Sequence, residues 1–302
     1  MKLKALFMVA DPAKLLLGVF FLAGGLAVAI REVGISGVDW SLTVPAIVAC
    51  VLLHFVGHLL NDITDYPVDM KANIKETGRR KALVTGLATK GDFMKLAAAV
   101  SAVIGIIAIY IVVNLPLAIV FVVIGLFALL GYNMPPVNLS YRPFSEITVY
   151  GPLVVSWVMG IAFVATHRIL FPAALFAVVY WLWLATYQIG MHAMDEGTDQ
   201  QGGKITTLVR YPRVYWCTLY PLMGFLVTLY LLRCSQLFLL PVASFGLLAF
   251  IGSRIDAVRW AYRNQVPDLK KASALAKVLS DRQEKVVAVM MILFPIAWIL
   301  LG

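Results

Sequence analysis

Repeated apolar runs of about 16–21 residues constrain this chain more than anything else in it, because each is near the length that spans a hydrocarbon core about 30 Å thick. The runs fall at roughly 15–31, 43–61, 93–113, 117–132, 147–166, 172–193, 214–232, 237–252 and 286–301. Backbone amides in lipid have no water to bond, so segments this apolar close their hydrogen bonds internally as helices. Composition agrees: 61% of the 302 residues are hydrophobic and 14% are charged. The expected fold is therefore all-α, a polytopic bundle of nine transmembrane helices. No small-residue cleavage site follows the first run, which reads as a span. Cys50, Cys217 and Cys234 have no paired spacing, so neither a disulfide framework nor a thiolate metal site is expected.

Basic residues set the orientation. With nine spans and a cytoplasmic N-terminus, the inward segments hold 22 of the 25 Lys and Arg, leaving only Arg31, Arg168 and Arg233 outside. The positive-inside rule then places the N-terminus and every long loop in the cytoplasm. The net charge of +9 is a topology signal, and no basic reading face for nucleic acid is present. Residues 253–285 read as a basic amphipathic helix on anionic lipid.

Two acidic clusters interrupt this pattern. "HLLNDITDYPVDM" (58–70) closes the second run, and "MHAMDEGTDQQGGK" (191–204) closes the sixth. Carboxylates at a membrane boundary are costly to desolvate, so they are solvated or bound to a cation. Asp62 and Asp195 lie four spans apart, which suggests a duplication: one four-helix half over about 10–145, a second over 146–285, and a ninth helix at 286–301, all within a single domain. Asn61, Asp65 and Asp69 follow one another at intervals of four with Asp62 three before Asp65; Asp195 and Asp199 repeat the four-residue interval. Each set shares a face if its helix continues inward, with Pro67 as a point where the first helix ends or kinks. His54, His58, Gln188 and His192 lie beneath the clusters on nearly the same stripes and read as interhelical hydrogen-bonding residues.

Two acidic helix ends on one side of a membrane repel unless a cation lies between them. Oxygen-only ligands suit Mg²⁺, which takes a few carboxylates together with phosphate oxygens and water. Arg79, Arg80 and Lys81 follow the first cluster, and Lys204 and Arg210 the second. Carboxylates, metal and nearby cations make a clamp for a diphosphate whose oily tail enters the bundle. A divalent-cation transporter and a non-catalytic lipid-binding protein are the readings from other classes. A transporter predicts carboxylates at mid-membrane, whereas both clusters here lie at one face.

"NDITDYPVD" fits an NDxxDxxxD signature and "DEGTD" a DxxxD signature, and together with nine spans they resemble the UbiA superfamily of intramembrane prenyltransferases. "TGRRKALVTG" (77–86) is similar to that family's RPLxxG loop, with Ala82 in place of proline. "DQQGGKITTL" (199–208) and "YNMPPVNLSYRPFSEITVYGP" (132–152) look like the menaquinone-pathway branch. The chain has Asp11 where the family often has an arginine, leaving Lys14 as the nearest cation, and Pro136 where the 4-hydroxybenzoate branch has a lysine. The resemblance implies Mg²⁺-dependent transfer of an isoprenyl group from a polyprenyl diphosphate at the cytoplasmic face of the cell membrane. Asn61 and Asp65 would bind one ion and Asp195 and Asp199 the other, with Asp62 and Asp69 assisting. Arg79, Arg80, Lys81, Lys204 and Lys14 would hold phosphate. Tyr132, Tyr141, Tyr187 and Trp183 are candidates for stabilising an allylic cation, and Tyr132 and Tyr141 also for contacting the substrate. Glu146 or an aspartate of the second cluster would be the base. The acceptor implied first is an aromatic quinone precursor; geranylgeranylglyceryl phosphate is the alternative.

Overall fold

The computed structural model describes Val9, residues 12–71, residues 81–211, Ile296 and Ile299; within the helices, only the backbone is described at 12–17, 71, 183, 186–187, 190–191 and 193–198. The three expected spans beyond residue 211, the 253–285 helix, and Arg79 and Arg80 lie outside the described residues.

Every regular element among the described residues is helical. They are α1 (Pro12–Val33), α2 (Trp40–Lys71), α3 (Lys90–Asn114), α4 (Ile119–Asn133), α5 (Ser145–Thr148), α6 (Tyr150–Thr166), α7 (Phe171–Gly202) and α8 (Thr207–Arg210). Seven of them, α1 to α7, match the first six apolar runs, α5 and α6 together covering the fifth. Among the described residues four stretches are long and apolar enough to cross a membrane: Trp40–Met70, Lys90–Asn114, Pro116–Asn133 and Ser145–Thr166. The boundary between the third and fourth spans is a single 3₁₀ turn, Pro116–Ala118, opened by the proline.

α2 and α7 are longer than their apolar runs because both acidic segments stay helical. Each has 32 residues, about 48 Å at 1.5 Å per residue, longer than a hydrocarbon core of about 30 Å, and each carries its carboxylates in its last three turns. α2 runs through Pro67 to Lys71; of the two expectations at Pro67, an end or a kink, the end does not occur, and Asp69 stays on the helix. Both helices start at the same end of the bundle. Asp39, just before α2, accepts from the Ser41 and Leu42 amides through Oδ1 (3.1 and 3.3 Å), and its Oδ2 lies 3.0 Å from Nε2 of His167, just before α7. Parallel helices of equal length bring their acidic ends to one side.

α6 is the central post and packs against α1, α2, α4 and α7. Lipid is as apolar as a leucine side chain, so helices in a membrane associate through close packing rather than hydrophobic exclusion. Small residues allow that approach. A methyl added at Gly25 of α1 would lie 2.4 Å from the Val158 carbonyl oxygen of α6, and one at Gly24 would lie 2.4 Å from the Tyr180 ring. Phe21, Trp157, Tyr180 and Phe176 fill the space between, with Phe21 centroids 6.2 Å from Trp157 and 5.7 Å from Tyr180. Among the described long helices α3 packs chiefly on α2, and it leaves Ile106 and Val113 exposed.

Candidate active site

The carboxyl-terminal ends of α2 and α7 touch. A methyl at Gly202 would lie 2.6 Å from Cγ1 of Val68, so the absent side chain is what lets the two tips meet. α7 then ends in a Schellman turn: the Gly203 amide donates to the Gln200 carbonyl (3.2 Å), and the Lys204 amide to the Asp199 carbonyl (2.8 Å). Gly203 has φ +77°, a left-handed conformation costly for a residue with a Cβ. That turn sends Lys204 back across the gap. Its Nζ donates to Asp65 Oδ2 on α2 at 3.1 Å, joining residues 139 apart in sequence.

Asp65, Asp199 and Lys204 are all buried. Burial alone would pull the Lys204 ammonium down; Asp65 and Asp199 outweigh it and hold the group above the ordinary lysine range. One cation thus feels carboxylates from both helix ends. Asp65 Oδ2 also accepts from Asn61 Nδ2 (3.1 Å), the partner one turn earlier. Asp65 Oδ1 is buried and has no hydrogen-bond partner among the described residues, an expensive arrangement for a carboxylate oxygen.

A second lysine serves the outer part of the cluster. Lys81 Nζ lies 3.2 Å from Asp62 Oδ1 and 2.7 Å from Asp69 Oδ2. Burial opposes its charge, but Asp62, Asp69 and Asp65 hold the ammonium above its usual value. Lys81 therefore bridges the acidic helix face, a closer role than setting topology. Lys14 and Asp195 are placed by backbone only, near the start of α1 and in the last two turns of α7.

The loop between α4 and α5 frames the site. Tyr141 donates to the Thr64 carbonyl (3.2 Å), and Thr64 Oγ1 donates to the Asn133 carbonyl (2.9 Å). Lys204 Nζ lies 5.4 Å from the Tyr141 ring centroid, and burial together with the Asp65 carboxylate pushes the phenol up to about 12. Tyr132 instead pairs with Tyr150, hydroxyl to hydroxyl at 3.3 Å. His54 and His58 stack with centroids 4.7 Å apart, and His54 lies 5.5 Å from Trp157. Glu146 is fully buried, with His192 Nδ1 3.4 Å from Oε1 and Thr207 Oγ1 donating to Oε2 at 2.8 Å. Sequence reasoning named Glu146 and His192 singly and did not single out Thr207; the signal for the α7 turn, "GG" before Lys204, also went unread.

The donor set fits a hard divalent cation. It is built of oxygens, one of them buried and unpartnered, and two ammoniums already lie against its carboxylates. Among the described residues no three His, Cys, Asp or Glu side chains close into a metal cage. Mg²⁺ is ordinarily held by one or two carboxylates and completed by phosphate and water.

Known proteins resemble the chain in fold and in family. No curated protein sequence matches the chain. A UbiA homologue from Archaeoglobus fulgidus, solved with DMAPP and Mg²⁺, superposes with a TM-score of 0.64 at 13% identity, covering 94% of this chain and 99% of that one. A structure of digeranylgeranylglyceryl phosphate synthase gives 0.63 at 15% identity, covering 98% of each chain. An apo UbiA homologue from Aeropyrum pernix K1 gives 0.58 at 16% identity, covering 94% and 98%. At these identities the likeness is one of fold. The model of the UbiA prenyltransferase family matches residues 12–280, and over that length, with paired acidic helix ends in the matching fold, the chain belongs to the UbiA prenyltransferase family.

Proposed function

We propose that this integral membrane protein catalyses Mg²⁺-dependent transfer of an isoprenyl chain from a polyprenyl diphosphate to a lipophilic acceptor. The observation that carries the reading is Lys204, whose ammonium joins the acidic ends of α2 and α7 in one electrostatic unit. Asn61 and Asp65 would hold one magnesium ion and Asp195 and Asp199 a second, with Asp62 and Asp69 assisting, and the metal would neutralise the charge that grows on the departing diphosphate. Lys204 and Lys81, joined by Arg79, Arg80 and Lys14, turn from carboxylate to phosphate oxygens. Tyr141, fixed to the Thr64 carbonyl, presents its ring beside Lys204, and the Tyr132–Tyr150 pair stands nearby as further aromatic surface for an allylic cation. The allylic C–O bond breaks with its electron pair leaving on the diphosphate, a bond from acceptor to C1 forms, and the acceptor's proton passes to an aspartate of the second acidic cluster. Water is excluded by the packed helices below, since it would capture the cation.

Nine helices in two four-helix halves plus a ninth, with the N-terminus and active site on the cytoplasmic side of the cell membrane, complete the proposal. The distribution of Lys and Arg supports that orientation. The acceptor read first is an aromatic quinone precursor of the dihydroxynaphthoate type, supported by the 132–152 segment. The fold match to digeranylgeranylglyceryl phosphate synthase favours a second reading, with geranylgeranylglyceryl phosphate as acceptor. Membranes containing the protein, supplied with geranylgeranyl diphosphate, Mg²⁺ and each acceptor in turn, decide between them by mass spectrometry of the lipid extract. Mass gain on the dihydroxynaphthoate is expected. Gain on the glyceryl phosphate alone would select the second reading, and diphosphate release that survives Asp65→Asn and Asp199→Asn would overturn both.

A further inference from the structure

Lys204 leaves the end of α7 on a four-residue segment, 203–206, before α8, and its place against Asp65 depends on what holds that segment down. Gly203 and Lys204 close the helix end from one side. From the other side the segment is stitched to the loop between α4 and α5. The Ile205 amide donates to the Tyr141 carbonyl (3.2 Å). Thr207 Oγ1 donates to Glu146 Oε2 (2.8 Å) and accepts from the Phe144 amide (2.7 Å).

The energetics of that stitch point to one purpose. Glu146 and Thr207 are completely buried, where an unpaired polar group is costly. Phe144 holds φ +67°, a left-handed conformation unfavourable for a side-chain-bearing residue, and aims its amide at Thr207. Glu146 is held in turn by Trp181 Nε1, which donates to its main-chain carbonyl (2.8 Å); His192 Nδ1 lies 3.4 Å from its other carboxylate oxygen without a hydrogen bond between them. A buried carboxylate, a threonine and a left-handed phenylalanine thus converge three residues from the lysine that links the two acidic helix ends.

We infer that Glu146 is a positioning residue: through Thr207 it fixes the 203–207 segment so that Lys204 meets the diphosphate of the substrate. This inference rests on the proposed function for the role of Lys204 and adds a buried residue that sets it. Thr207→Val keeps the shape and removes the hydroxyl; Glu146→Gln keeps an oxygen acceptor for Thr207; Glu146→Ala removes it.

The test measures KM and kcat with geranylgeranyl diphosphate and Mg²⁺, and binding of inorganic diphosphate with Mg²⁺, in purified full-length protein. Wild type must first show Mg²⁺-dependent diphosphate binding and release; if it shows neither, the proposed function fails and the inference falls with it. Given that activity, Thr207→Val and Glu146→Ala are expected to weaken diphosphate binding and raise KM about tenfold, as loss of a charged-group hydrogen bond does, with kcat changed far less. Glu146→Gln is expected to stay within about threefold of wild type. In a Lys204→Ala background, Thr207→Val should add nothing, because its effect passes through the lysine. Unchanged diphosphate binding in Thr207→Val, or full additivity with Lys204→Ala, would overturn the inference while leaving the proposed function intact. A merely structural threonine would lower the yield of folded protein and move neither the KM nor the coupling.

Discussion

Asp65 is the residue on which the site turns. Its Oδ2 takes donors from Asn61 and Lys204, while Oδ1 is buried without one among the described residues. Asparagine at this position keeps the shape and loses the charge. Asp65→Asn is expected to cut Mg²⁺-dependent diphosphate release by at least about 100-fold, the scale on which removing one preorganised charge-stabilising group acts. The check is release of diphosphate from geranylgeranyl diphosphate under saturating Mg²⁺. Far from the site, Asp39 caps α2 and faces His167. Ser41, with smaller help from His167 and the Leu42 amide, outweighs burial and holds its carboxyl below the ordinary value of 3.8. A depressed carboxyl contributes stability above its unfolded value and loses it as pH falls through the lower folded one. Asp39→Ala should therefore destabilise the protein by about 1 kcal/mol at neutral pH. The penalty should shrink below pH 3.8, as read by thermal unfolding in detergent.

At the scale of elements, close helix contacts set the geometry. Gly25 lies against a main-chain carbonyl of α6, which has no rotamer to move. Gly25→Ala is expected to cost about 1–3 kcal/mol through overpacking, seen as a lower unfolding temperature. Gly202→Ala meets a valine side chain instead. Because Val68 has some freedom, it should spare folding more and activity less, parting the tips of α2 and α7. Comparable loss of stability in both variants, with activity per folded molecule unchanged in Gly202→Ala, would contradict this. These contacts also mark what could be read in advance. Apolar length located α1 to α4, α6 and α7, and the four-residue spacing placed Asn61, Asp65 and Asp69 on one face, since both depend on local periodicity. Passage of α2 through Pro67 was not legible, because a proline's effect depends on whether neighbours satisfy the carbonyl it frees. Nor was the Thr207–Glu146–His192 network, whose members lie 61 residues apart at the Thr207–Glu146 bond and meet only through tertiary packing.

The whole molecule is a bundle in which two long helices start together beside the Asp39–His167 pair and end together around Lys204. That arrangement makes the two acidic clusters parts of one site, and this is the account's central claim. The most direct measurement is equilibrium binding of inorganic diphosphate, with and without Mg²⁺, to wild type, Asp65→Asn, Asp199→Asn and the double variant. A shared clamp predicts that either substitution removes most of the Mg²⁺-dependent affinity and that the double variant is scarcely weaker than either one. Independent, additive losses, or Mg²⁺-dependent binding that persists in the double variant, would contradict it.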